Sequence, residues 1–133
     1  MTDAAPRHQQ RERALSLLYE AELKGEGPLQ VVDALPVPPD PYVRTLLQHA
    51  AATREEADRR IAGASVGWPL DRMAVVDRIV LRLALAELLD PDGPPTAVVI
   101  DEAVELVKVY STDESGRFVN GILSTIVTDI GPR

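Results

Sequence analysis

Proline and glycine limit what this chain can become more than any other residues. Eleven prolines and eight glycines fall in clusters, and between the clusters the apolar residues recur at steps of three and four, the period of a helix. A proline inside a helix removes a hydrogen bond and clashes with the preceding turn, and in a central strand it removes a ladder bond. The chain is therefore cut into helices of modest length, and the spacing predicts an all-α fold, a compact bundle of six to seven helices. The first should run from about Gln9 to Lys24, burying Ala14, Leu15, Leu18 and Ala21, with Gly25 to Pro28 as its stop. Leu29 to Asp40, which contains Pro36, Pro38 and Pro39, reads as a long connection.

Pro41 suits a first helical turn, and Val43, Leu46, Leu47 and Ala50 form the inner face of the helix it opens. Thr53 followed by Glu56 has the form of a capping box, so the stretch to Ala62 is either a separate helix or a continuation. Leu70 to Leu89, with Met73, Val76, Val80 and Leu83 in phase, has the strongest pattern and is expected to be the central helix. A turn over Asp90 to Pro95 leads to a helix marked by Ile100, Ala103, Val104 and Val107. Ser111 with Glu114 forms a second capping box before a last helix whose apolar side is Phe118, Val119, Ile122, Ile126 and Ile130.

Composition closes other routes. A 4% aromatic share is poor for a β-sandwich or barrel, and 133 residues suit one domain, 1–133, with residues 1–8 expected to be flexible. The absence of cysteine excludes disulfides, a thiolate nucleophile and Cys-based metal sites, and suits the cytoplasm. No segment has the apolar core of a signal peptide or approaches the roughly 20 apolar residues of a membrane span.

Little points to catalysis. His8 and His49 stand outside any zinc-binding pattern, and the chain carries no phosphate loop, nucleophile elbow or dinucleotide fingerprint. The reading is of a protein that is not an enzyme, with no catalytic residues, no metal and no cofactor. His49, at the edge of an apolar helix face, reads as a structural histidine. The start is more informative. Residues 1–13 hold three arginines against Asp3 and Glu12, a net charge of +1, whereas the whole chain carries −7. Such a spot is either a solvated terminus or a place for phosphate, with glutamine and histidine available to bases. Arg78 and Arg82 are four apart on the central helix and either pair with nearby carboxylates or join the start of the last helix in an anion-binding surface.

Taken in order, several blocks resemble the NusB family of bacterial transcription antitermination factors. They are Arg7-His8-Gln9-Gln10-Arg11-Glu12-Arg13-Ala14-Leu15, Leu18-Tyr19, Trp68-Pro69-Leu70-Asp71-Arg72, Val76-Asp77-Arg78-Ile79 and Leu81-Arg82, Val99 to Leu106, and Ser115 with Phe118-Val119-Asn120-Gly121-Ile122-Leu123. The resemblance implies two helical subdomains and a role without catalysis: binding single-stranded boxA RNA of ribosomal RNA transcripts together with NusE, a small-subunit ribosomal protein, in a complex on RNA polymerase. It implies RNA contacts at Arg7, His8, Gln9, Gln10, Arg11, Tyr19, Asp77, Arg78, Glu114, Ser115 and Phe118. Helical spacing by itself puts Phe118 in the core. Where many members carry consecutive arginines this chain has His8, Gln9 and Gln10, which shifts weight from charge to hydrogen bonding. The rival reading is a purely protein-binding helical module, which the acidic net charge favours. An apolar helix face is compatible with a monomer or a homodimer.

Overall fold

Burial follows from the interrupted apolar pattern: the described residues form seven α-helices, five of which pack against one central helix. The computed structural model describes residues 5–131; the beginning of the segment expected to be flexible, residues 1–4, lies outside that range. The helices are α1 (Arg7–Lys24), α2 (Pro28–Asp33), α3 (Pro41–Ala52), α4 (Arg54–Ala64), α5 (Val75–Leu88), α6 (Thr96–Tyr110) and α7 (Asp113–Ile130). Among the described residues there is no strand. The central helix is α5, which touches α1, α3, α4, α6 and α7. All residues from Ile79 to Leu88 are buried, so this helix has no wet face, as expected of a rod surrounded by others.

Local chemistry explains the boundaries. α1 already includes Arg7 and His8, and it stops where Gly25 takes a left-handed conformation at φ +65°. The Glu26 amide then reaches back 3.0 Å to the Ala21 carbonyl, closing the helix end that a residue with a Cβ would strain. The stretch read as a long connection contains α2, because Val31 and Val32 bury their side chains against the core and Pro28 starts the turn without needing an amide donor. α3 and α4 are separate helices joined at Thr53. The proposed capping box does not form: the Thr53 hydroxyl donates back to the His49 carbonyl at 2.7 Å, and Glu56 turns instead toward Arg60 at 3.5 Å. His49 itself lies 3.5 Å from Asp90, a structural contact between the end of α3 and the turn after α5.

The strongest helical pattern is also broken. Leu70–Arg72 form a single 3₁₀ turn, Met73 and Ala74 are extended, and α5 starts only at Val75. Extension lets Met73 bury its side chain while the Arg78 guanidinium donates to the Leu70 carbonyl at 3.1 Å, pinning the turn to α5. α7 is capped by Thr112, not Ser111, since the Thr112 hydroxyl accepts the Ser115 amide at 3.0 Å. Gly116 allows the first turn of α7 to approach α6: a Cβ there would lie 3.1 Å from the Lys108 side chain. Among the described residues no helix is long and apolar enough to cross a membrane.

Candidate nucleic-acid interface

The basic start divides into an exposed row and a buried row, because successive residues of α1 face different ways. Arg7, His8 and Gln9 are exposed. The Arg7 guanidinium stacks 3.6 Å from the centroid of the Tyr42 ring, a cation–π contact, and donates to the side-chain oxygen of Gln10. Gln10 is only 2% exposed and Arg11 only 5%. Both are engaged within the fold: Gln10 bridges Arg7 to Asp40, and Arg11 makes a side-on pair with Glu87 of α5, with Nε–Oε1 and Nη2–Oε2 both at 2.9 Å. Burial opposes the charge on Arg11, but its hydrogen bonds and attraction to Glu87 outweigh that and hold its pKa above the ordinary value. The Tyr42 hydroxyl donates to the same carboxylate, and burial, followed by that hydrogen bond, pushes its pKa up to about 12.

His8 lies across the α1–α6 boundary, with Nδ1 2.9 Å from Glu102 and Nε2 3.6 Å from Glu12. The hydrogen bond to Glu102 raises its pKa. Glu12 also accepts the hydroxyl of Tyr110, the last residue of α6. This places Tyr110 opposite Tyr19 in a groove of about 430 Å³ lined by Glu12, Leu15, Ser16, Tyr19, Val76 and Tyr110. Both rings are exposed, and Tyr19 is 39% accessible. Tyr110 had no place in the sequence-based site; its only signal was an aromatic residue at the polar end of an apolar helix.

A second hollow, of about 530 Å³, brings together four of the remaining candidates. Asp77, Glu114, Ser115 and Phe118 line it together with Trp68 and Arg72. Glu114 is exposed, as a residue available to a ligand must be, and Phe118 is half-buried against the core. Asp77 and Ser115 are buried and bonded to each other, Ser115 Oγ donating to Asp77 Oδ2 at 2.8 Å. Together they fix the start of α7 on α5. Arg78 is likewise half-buried, paired with Glu22 and the Leu70 carbonyl, because it faces α1 and the 3₁₀ turn. Arg82 donates to both oxygens of Asp58 at 2.8 and 3.0 Å. The anion-binding surface expected from Arg78, Arg82 and the start of α7 does not form; each arginine serves an interhelical ion pair.

The candidates and their neighbours form a surface in two parts: exposed Arg7, His8 and Gln9 lead through half-buried Glu12 to the groove of Tyr19 and Tyr110, while exposed Glu114 and half-buried Phe118 line the second hollow. Its chemistry is that of exposed aromatic rings with adjacent donors and acceptors, suited to unpaired bases. Among the described residues no group of three His, Asp or Glu side chains could hold a metal ion.

Comparison with known proteins identifies the family. The chain is 47% identical to the transcription antitermination protein NusB of Saccharopolyspora erythraea, with 96% of this chain and 89% of the relative covered. It is 42% identical to the protein of the same name from Streptomyces coelicolor, over 92% of each. Among solved structures, NusB of T. maritima superposes with a TM-score of 0.85 at 34% identity, covering 96% of this chain and 94% of that one. A structure of the antitermination factors NusB and NusE in complex with double-stranded RNA superposes with a TM-score of 0.74 at 32% identity, covering 92% of this chain and 96% of that one. The sequence matches the NusB family over residues 8–128, so the all-helical fold, the blocks on α1, α5 and α7 and the two hollows beside them are those of a chain that belongs to the NusB family.

Proposed function

We propose that this chain is a non-catalytic transcription antitermination factor of the cytoplasm: an adaptor that holds single-stranded boxA-type RNA together with NusE and presents both to RNA polymerase. The observation that carries the reading is that Arg7, His8, Gln9, Tyr19 and Glu114 are all exposed, with Tyr19 and Glu114 each lining a hollow. The solved structure of relatives holding RNA and NusE together supports the choice of partners. Its RNA is double-stranded, whereas exposed rings beside hollows favour bases free of a partner strand.

Charge explains why the adaptor needs its partner. Residues 25–133 carry 17 acidic and 10 basic side chains, a net charge of −7 that repels a phosphate chain beyond the N-terminal spot. A basic ribosomal protein offsets the repulsion and extends the RNA surface. RNA and partner then strengthen each other's binding by the same factor, ~5–150-fold for common couplings. Labelled boxA RNA, single-stranded and as a duplex, titrated with this chain alone, with NusE alone and with both in matched salt, tests the reading. Single-stranded RNA binding tightest to the pair is the expected result. Equal affinity for this chain with and without NusE removes the coupling, and loss of all RNA binding replaces the adaptor with a module that binds only protein, the alternative its acidic surface favours. Sedimentation at several concentrations decides between a monomer and a homodimer.

A further inference from the structure

The beginning of α3 holds the beginning of α1 at two points. The Asp40 carboxylate accepts the Ala5 amide at 3.2 Å and the Gln10 side-chain amide at 3.5 Å. Two residues on, the Tyr42 ring meets Arg7, whose guanidinium stands 3.6 Å from the ring centroid. That ring is tethered: its hydroxyl donates to Glu87, and the same carboxylate accepts both hydrogen bonds of the buried Arg11. The Gln10 side chain accepts one N–H of Arg7. Arg7 is nevertheless exposed and, among the described residues, forms no ion pair. A guanidinium has five N–H donors, so most of those on Arg7 remain for a ligand.

We propose that Tyr42 is a positioning residue for RNA binding: its tethered ring holds the Arg7 guanidinium in one pose, ready for a phosphate, without itself touching the RNA. The proposal rests on the RNA-binding reading above and adds to it a half-buried residue of α3 that lies in none of the blocks carrying the family resemblance. A long side chain in water samples many rotamers, and a ligand that binds it must order it first. Tyr42 and Gln10 do that ordering within the fold. The choice of a ring matters, because a carboxylate would hold Arg7 as firmly but neutralise it, whereas an aromatic face leaves its positive charge for a phosphate. Arg78 and Arg82 show the contrast, each held by a carboxylate of another helix.

The test is a double-mutant cycle on the full chain with saturating NusE, read as the affinity for labelled single-stranded boxA RNA in matched salt. Tyr42→Leu should weaken binding by about 2- to 13-fold, the cost of ordering one long side chain on binding. Tyr42→Phe, which keeps the ring and drops its tether, should recover most of that loss. In an Arg7→Ala background, Tyr42→Leu should change RNA affinity no further. Unaltered affinity in Tyr42→Leu overturns the proposal and leaves the RNA-binding reading standing. An equal loss with and without Arg7 does the same, since it marks a residue that supports only the fold. Where Tyr42→Leu fails to fold, NMR of the native chain and of Tyr42→Phe decides. The ring current should move the Arg7 side-chain proton resonances upfield in both, and unshifted resonances in the native chain overturn the proposal. Absence of RNA binding by the native chain with NusE removes the RNA-binding reading, and the proposal with it.

Discussion

Arg11 and Glu87 face each other across the α1–α5 interface through two hydrogen bonds of 2.9 Å, and neither side chain is more than 7% exposed. Four residues earlier, Arg7 stands on the same helix in solvent. Removing one partner of a buried pair leaves the other charge stranded, so Arg11→Ala should lower stability by ~3–5 kcal/mol in chemical denaturation. Arg7→Ala should cost at most about 1 kcal/mol, the range of an exposed cation–π contact. The order reverses for RNA: Arg7→Ala should reduce the log–log salt slope of binding by ~0.7 for one lost phosphate contact. A fully stable Arg11→Ala variant with a reduced salt slope would return Arg11 to the RNA surface.

The bond from Ser115 to Asp77 supplies the only hydrogen bond to that carboxylate among the described residues. Ser115→Ala should therefore destabilise the fold by ~1–3 kcal/mol, because both oxygens are then buried without a donor. Thermal unfolding of Ser115→Ala and Ser115→Thr checks this, with Thr expected to keep the hydroxyl and more of the stability. Unchanged melting in Ser115→Ala would mean that water replaces the serine.

Thr112 and Glu114 separate two roles that sequence spacing had merged. Thr112 accepts the Ser115 amide and caps α7, so Thr112→Ala should cost ~0.5–2 kcal/mol. Glu114 is exposed at the hollow, so Glu114→Gln should leave the melting temperature unchanged while altering preference among boxA sequence variants. A stability loss in Glu114→Gln with the same preference would contradict the assignment.

His8 gives a pH signature. Its hydrogen bond to Glu102 raises its pKa above the ordinary 6.5, so the folded state binds the proton more tightly than the unfolded one. Its contribution to stability is present in full below the ordinary value and is lost as pH rises through the raised value. The exposed setting keeps the effect small. Histidine resonances followed by NMR titration should show His8 titrating above 6.5, and Glu102→Gln should bring it down. His8→Gln should flatten the pH dependence of the melting temperature in that window; an identical profile in the variant would exclude the histidine as its source.

The period of the apolar residues sufficed for helix number and order because helices are held by stripes that the sequence displays directly. What escaped it were interactions set by distance in space. Nothing about Arg11 in the chain distinguishes it from Arg7, yet 76 residues on, Glu87 makes one a core residue and leaves the other in water. Met73 fits a helical phase as well as Val76 does, but burial of its side chain favours an extended backbone there. Both capping boxes failed for a similar reason: Thr53 and Ser111 found other hydroxyl or carbonyl partners close by. The blocks of the candidate site were legible, while its division into exposed and buried side chains required the neighbours of each one.

Because α5 is buried at every residue from Ile79 to Leu88, it acts as a ruler with a fixed phase. Asp77 and Glu87 are ten residues apart on it, which sets their backbone positions ~15 Å apart and turns them ~80° from each other about the axis. That angle sends one carboxylate to α7 and the other to α1. Adding or deleting a single residue between them would rotate one end ~100° against the other, so α1 and α7 could not both stay seated.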